Sequence, residues 1–227
     1  MDAYAAVVLA GGAARRMGGV DKPARTVGGL PMRDRVLAAV ADAAPRILVG
    51  PPGPVPAGVR VTREDPPGGG PVAAAAAGLA LLDPGTPVVA LLAADLPLLT
   101  RAAVGELLDR LDADGHDGAC YVDGDGRRQT LCGVWRAAPL RAALDRLAAE
   151  RATRPSGGSP DGRPTGGAAE RATSHDDGSA APLAGAPIRA LLAGLRVREV
   201  PWSGAGPPPW FDCDTDEDVR RAEEWTR

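Results

Sequence analysis

Seven short aliphatic and β-branched runs, at residues 4–10, 46–50, 59–62, 88–94, 119–122, 131–135 and 196–200, alternate along this chain with stretches of helical periodicity. No other feature constrains the fold as tightly, because strands separated by helix-length crossovers pair into a mainly parallel sheet covered on both faces. The helical stretches keep their apolar residues on one face: Val36, Leu37 and Val40 within 33–43, Val104, Leu107, Leu108 and Leu111 within 101–111, and Leu140, Leu144 and Leu147 within 140–148. The run at 88–94 is almost continuously apolar, as a central strand buried on both sides requires. The expectation is therefore a single α/β domain over residues 1–227. In such sheets ligands bind beyond the carboxyl ends of the strands, and both Gly11 and Asp95 fall at such ends.

One stretch cannot join that core. Residues 151–182 contain no Val, Ile, Leu, Met or aromatic residue, only Gly, Pro, Ser, Thr, Ala, a histidine and mixed charges. Apolar burial there could not offset the entropy of ordering it, so it reads as a disordered surface insertion. Order is expected to resume near Leu183, with a short helix carrying Ile188, Leu191, Leu192 and Leu195. A stiff turn at Gly206 to Pro209 follows, then a last helix capped by Thr215, with Asp218 reaching back.

The whole chain, 44% apolar and 24% charged over 227 residues, has the composition of a globular protein. A net charge of −3 without a basic block, and only 3% aromatic residues, exclude the footprint of a nucleic-acid binder. Met1-Asp2 provides no cationic start, and the apolar stretch after it stops at Gly11-Gly12, which argues against a signal peptide. The apolar segment from Val88 to Leu99 carries Asp95 and is too short to span a bilayer. A cytoplasmic protein that meets no membrane is expected. Cys120, Cys132 and Cys213 are scattered and odd in number, so they read as small core residues instead of a disulfide or zinc framework. His116 and His175 are isolated, and a loop or surface role is expected of each.

The chemistry gathers around the first strand. It runs into Ala10-Gly11-Gly12, where consecutive backbone amides without side chains can cradle a phosphate or a base. Arg15, Arg16 and Lys22 add positive charge, and Lys22 is the only lysine among 26 basic residues. A compact ammonium is not equivalent to a guanidinium where a phosphate oxygen must be met as a point charge. The segment is neither a P-loop, since Lys22 precedes Pro23, nor a dinucleotide fingerprint, since G-x-G-x-x-G is absent. Asp95, at the lip of the most buried strand, is a hard oxygen ligand suited to Mg²⁺, which takes one or two carboxylates with phosphate oxygens and water. Asp212 and Asp214 are alternate residues of an extended segment, and Asp214 is the candidate second ligand. Competing readings are a cap before Pro97 for Asp95 and an N-terminal helix charge for Asp214.

Taken in order, Leu9-Ala-Gly-Gly-x-x-Arg-Arg-Met-Gly-x-x-Asp-Lys22, Gly70-Pro-Val-Ala73, Asp95-x-Pro97 and Phe211-Asp-Cys-Asp-Thr-Asp-Glu-Asp218 resemble the successive motifs of the molybdenum cofactor guanylyltransferases, within the nucleotidyltransferase superfamily. The likeness covers nearly everything outside 151–182. It implies a three-layer α/β/α Rossmann-like fold, dependence on Mg²⁺, and GMP transfer from GTP to the phosphate of molybdopterin with release of pyrophosphate. It also implies roles: nucleotide contacts for Leu9, Ala10, Gly11 and Asp65, phosphate binding for Lys22 and metal binding for Asp95. Protein partners would be molybdoenzymes or other cofactor-biosynthesis proteins. Two departures stand out. Gly50 replaces an asparagine found in some members, removing one side-chain contact to the nucleotide, and Asp212 and Asp214 replace asparagines, making the metal site more anionic.

The mechanism these residues imply is in-line attack by an acceptor phosphate on the α-phosphorus of a bound triphosphate. Lys22 would stabilise charge at the α-phosphate while Arg16, helped by Arg15, holds the departing pyrophosphate. Two alternatives remain at this level: the same transfer from CTP or another triphosphate, to molybdopterin or another phosphorylated acceptor, and a nucleotide-binding partner protein without turnover.

Overall fold

The computed structural model describes residues 3–11, 25–112, 115–153 and 181–227. In chain order the elements are β1 (Tyr4–Leu9), β2 (Thr26–Val27), β3 (Leu30–Pro31), α1 (Met32–Ala39), β4 (Arg46–Val49), β5 (Val59–Thr62), α2 (Pro71–Leu79) and β6 (Val88–Ala93). They continue with α3 (Arg101–Asp112), β7 (Gly118–Val122), β8 (Arg128–Arg136), α4 (Ala137–Ala152), a 3₁₀ turn (Ala181–Leu183), α5 (Ile188–Leu192), β9 (Val197–Pro201) and α6 (Asp216–Trp225). Seven strands form one sheet in the order β5-β4-β1-β6-β8-β7-β9. The first four are mutually parallel, β8 runs against both β6 and β7, and β9 is again parallel to β7.

The two-residue period of the central strands divides the core. Tyr4, Ala6, Val8 and Ala10 of the β1 segment pack under α1 and α3 with Val36, Leu37, Val104 and Leu107. Ala5, Val7 and Leu9 face the opposite layer, with Val72, Leu79, Leu140 and Leu144 from α2 and α4 and Leu191 from α5. Every residue of β1 is buried, as the apolar run required of a strand covered on both sides. The expected three-layer α/β/α architecture is thus the observed one. The three cysteines are free and buried, as expected of small core residues. Burial pushes the Cys120 thiol up to about 11 and that of Cys132 higher still, so neither is a nucleophile at neutral pH.

Helix α2 has no counterpart among the helices expected from periodicity. Its sequence, PVAAAAAGL, is apolar all round and shows no polar face for a periodic pattern to reveal. Alanine is the best helix former and Pro71 occupies a first-turn position where its missing N–H costs nothing. A Cβ on Gly78 would lie 2.4 Å from Val7 Cγ1, so the glycine lets α2 pack closely on β1. The expected boundaries of the insertion also need correction. Arg151 and Ala152 complete α4, and the Arg151 guanidinium donates from Nε to Pro182 O at 2.6 Å and from Nη2 to Ala184 O at 2.8 Å. That fork ties the last turn of α4 to the chain around the 3₁₀ turn, so both margins of the segment are ordered. Residues 154–180 and His175 lie outside the described residues.

The last helix starts as its sequence requires. Thr215 Oγ1 accepts the N–H of Asp218 at 3.2 Å, and the Asp218 carboxylate accepts the N–H of Thr215 at 2.7 Å. Thr215→Ala removes the cap and is expected to cost about 1 kcal/mol, lowering the melting temperature by about 2–4 °C in a thermal melt of a chain this size. The helix buries Val219 and Ala222 against Val27, Met32, Leu98 and Cys213. This small third cluster holds the C-terminal segment beside the end of β6.

Candidate active site at the carboxyl edge of the parallel strands

Because β5, β4, β1 and β6 are parallel, the residues that follow them meet at one edge. Three backbone bonds keep these ends together beyond the strands: Ala10 N to Val49 O at 2.7 Å, Ala94 N to Leu9 O at 3.0 Å and Gly50 N to Thr62 O at 2.9 Å. Leu9 and Ala10 are buried and Gly11 emerges to the surface. Gly50 is confined: a Cβ there would lie 2.9 Å from Ala10 Cβ. The departure seen in the sequence therefore has a packing cause, since no side chain fits at this position without moving the β1 segment.

On one flank of β1 lies Asp95, half-buried, two residues past β6. Its carbonyl accepts the N–H of Cys213 at 3.3 Å. Cys213 is fully buried, and its neighbours Asp212 and Asp214 are exposed on either side of it. The pairing of Asp95 with the C-terminal segment, which the sequence offered as two carboxylate sources 119 positions apart (Asp95 to Asp214), is thus a fixed backbone contact. One half-buried and one exposed carboxylate position are the kind of donors Mg²⁺ takes from protein. Among the described residues no group of three or more His, Cys, Asp or Glu is arranged to hold a metal by itself.

On the other flank, beyond β5, Glu64 and Asp65 lead into a glycine loop. Asp65 is exposed, whereas Glu64 is only 5% exposed. Glu64 Oε1 accepts the N–H of Gly68 at 2.9 Å, and Gly69 O accepts the N–H of Gly185 at 2.8 Å. Gly68 and Gly70 have φ of 81° and 90°, a region that disfavours side chains, so this loop presents backbone instead of side chains. Sequence reasoning chose Asp65 and passed over Glu64. No local signal separated the two adjacent carboxylates. Gly12, Arg15, Arg16 and Lys22 lie outside the described residues. The segment that holds them leaves from Gly11 and returns at Arg25, which forms an ion pair with Asp216 at the start of α6. Among the described residues no helix is long and apolar enough to cross a membrane.

Four parallel strands whose carboxyl edge carries Gly11 between two flanking carboxylate positions form an α/β sheet open to a ligand at that edge. Solved nucleotidyltransferase structures share the fold. Molybdopterin-guanine dinucleotide biosynthesis protein A from Archaeoglobus fulgidus superimposes with a TM-score of 0.63 at 16% identity, over 96% of each chain. The 2-C-methyl-D-erythritol 4-phosphate cytidylyltransferase from Thermus thermophilus does so with 0.60 at 19% identity, over 98% of each chain. Within this class the chain belongs to the MobA-like NTP transferase family, whose model matches residues 6–157. Among curated proteins it is similar to the molybdenum cofactor guanylyltransferase of Nitrobacter hamburgensis, 31% identical over 228 aligned positions that cover 96% of this chain and 91% of the relative. The protein of the same name from Bradyrhizobium sp. (strain ORS 278) is 35% identical over 147 residues, 61% of this chain and 68% of the relative. The enzyme class expected from the motifs is thus the class found.

Proposed function

We propose that the protein transfers GMP from GTP to the phosphate of molybdopterin, releasing pyrophosphate, in the cytoplasm. The observation that carries this reading is the contact of Asp95 with the Asp212–Asp214 segment at the strand edge where the glycine turn begins. That backbone contact supports the reading because it runs the chain of Asp212 and Asp214 past that of Asp95, and relatives at 31% and 35% identity bear the guanylyltransferase name. The backbone of Leu9, Ala10 and Gly11, with Asp65, contacts the nucleotide. An oxygen of the acceptor phosphate forms a bond to the α-phosphorus as the bond from that phosphorus to the β-phosphate bridging oxygen breaks in line.

The chain's own residues supply positioning and charge. Lys22 meets the α-phosphate oxygens as a point charge, and Arg16 with Arg15 holds the leaving pyrophosphate. Asp95 would hold Mg²⁺ together with Asp214 or Asp212, and when bound the ion supplies charge neutralisation at the triphosphate oxygens. The acceptor phosphate is already ionised near neutral pH, so no general base is needed. Pyrophosphate release from GTP and from CTP, with molybdopterin and Mg²⁺ present, tests the reading. Turnover with GTP at least about tenfold above CTP is expected, since an unmatched polar base edge weakens binding by this order. Release from CTP alone would replace the donor, and tight GTP binding without release would make the chain a binding partner.

A further inference from the structure

Arg35 stands in α1 next to Val36 and Leu37, whose burial seats the helix under β1. Its backbone is thereby fixed by the core, and its half-buried guanidinium reaches across to two other segments. Nε donates to Pro97 O at 2.8 Å and Nη1 to Val27 O at 3.2 Å. Both acceptors are main-chain carbonyls, so the side chain acts as a strut between pieces of backbone. Gly28 makes room for it: a Cβ there would lie 3.2 Å from Arg35 Nη1 and 3.2 Å from Thr226 Oγ1. The φ of 58° at Gly28 also disfavours any side chain.

The two carbonyls belong to segments with different duties. Val27 lies in the β2–β3 hairpin, five positions after Lys22 in the sequence. Arg25 O accepts the N–H of Met32 at 2.9 Å, so α1 also anchors the start of that hairpin through its backbone. Pro97 ends the Asp95-Leu96-Pro97 stretch beyond β6. Proline has no N–H, so its carbonyl is the one backbone group by which hydrogen bonding can hold it, and Arg35 takes that carbonyl. Leu98, the next residue, packs with Val27 and Met32 in the third cluster, which adds apolar contact to the strut. A rigid guanidinium imposes a spacing on two acceptors, whereas an ammonium on a flexible stem does not. Misplacing a group that meets the substrate by about 1 Å costs on the order of a hundredfold in turnover.

We propose that Arg35 is a positioning residue: through Pro97 O and Val27 O it holds the loop that carries Asp95 in register with the hairpin that follows Lys22. This rests on the transfer reading above. Pyrophosphate release with GTP, molybdopterin and Mg²⁺, together with calorimetric binding of GTP and Mg²⁺, tests it on the full chain in wild type, Arg35→Gln, Arg35→Lys and Gly118→Ala. Arg35→Gln should lower kcat about tenfold to a hundredfold, while the affinity for GTP stays close to that of wild type. Arg35→Lys keeps the charge but not the fixed spacing, so its kcat should stay near that of Arg35→Gln. Gly118→Ala, which strains the sheet on the far side of β6, shows what lost stability does alone, and below its melt its kcat should match wild type. A wild-type kcat in Arg35→Gln, full recovery in Arg35→Lys, or GTP binding that falls as much as kcat overturns the proposal. So does unfolding of both Arg35 variants at a temperature where Gly118→Ala stays folded, because the strut would then serve the fold alone. Wild type that releases no pyrophosphate from any nucleoside triphosphate removes the transfer reading and the proposal with it, a result distinct from active wild type with an indifferent Arg35.

Discussion

Lys22→Ala should lower kcat by about a hundredfold to a thousandfold, the usual cost of deleting one donor aimed at developing charge in an active site, with little change in thermal stability. The expectation rests on the sequence. Lys22 is the only lysine of 227 residues and closes the glycine- and arginine-rich segment that leaves from the β1 end. Arg16 and Arg15 remain in the variant, so triphosphate binding should weaken less than turnover. Lys22→Arg should not restore full rate, because a planar fork does not reproduce a point charge at a single oxygen. Steady-state pyrophosphate release with molybdopterin and GTP is the measurement, and near-normal kcat in Lys22→Ala would remove the residue from the chemistry.

Gly118→Ala should be the most damaging small substitution in the sheet. Gly118 of β7 lies directly across from Trp135 of β8, which is fully buried. An added Cβ would sit 2.1 Å from Trp135 Cε3 and 2.5 Å from Cζ3, and a rigid indole inside a packed core has nowhere to move. The expected loss is about 3 kcal/mol, a fall of about 6–12 °C in melting temperature for a chain of this length. Gly124→Ala is the control. Nothing lies within 4 Å of its Cβ position, so its melt should match wild type.

The strands were largely legible because their signal is local. The expected runs at 59–62 and 88–94 correspond to Val59–Thr62, an edge strand marked by its β-branched residues, and Val88–Ala93, a buried strand that must be apolar whatever it pairs with. Helix α2 was hidden for the converse reason: packed closely on β1 through Gly78, its alanine-rich stretch has no polar face to mark it. The capping box at Thr215 was readable because both partners lie within three residues of each other.

At the candidate site the division is similar. Asp95 and Asp214 were found as carboxylates at ends of apolar or extended segments, but the Cys213 N–H to Asp95 carbonyl bond that brings their segments together spans about half of the chain. Glu64 was invisible, since nothing in Arg63-Glu64-Asp65-Pro66 separates a buried carboxylate from an exposed one. By itself the sequence determined the α/β class, the nucleotidyltransferase motifs and the residue types available for phosphate and metal, because these depend on local pattern and on side-chain chemistry. Only the tertiary structure decided which carboxylates stand on which side of β1, why Gly50 has no room for a side chain and why Glu64 rather than Asp65 is enclosed. Those depend on strand order and close packing between segments far apart in the chain, and such contacts leave no periodic trace in the residues that make them.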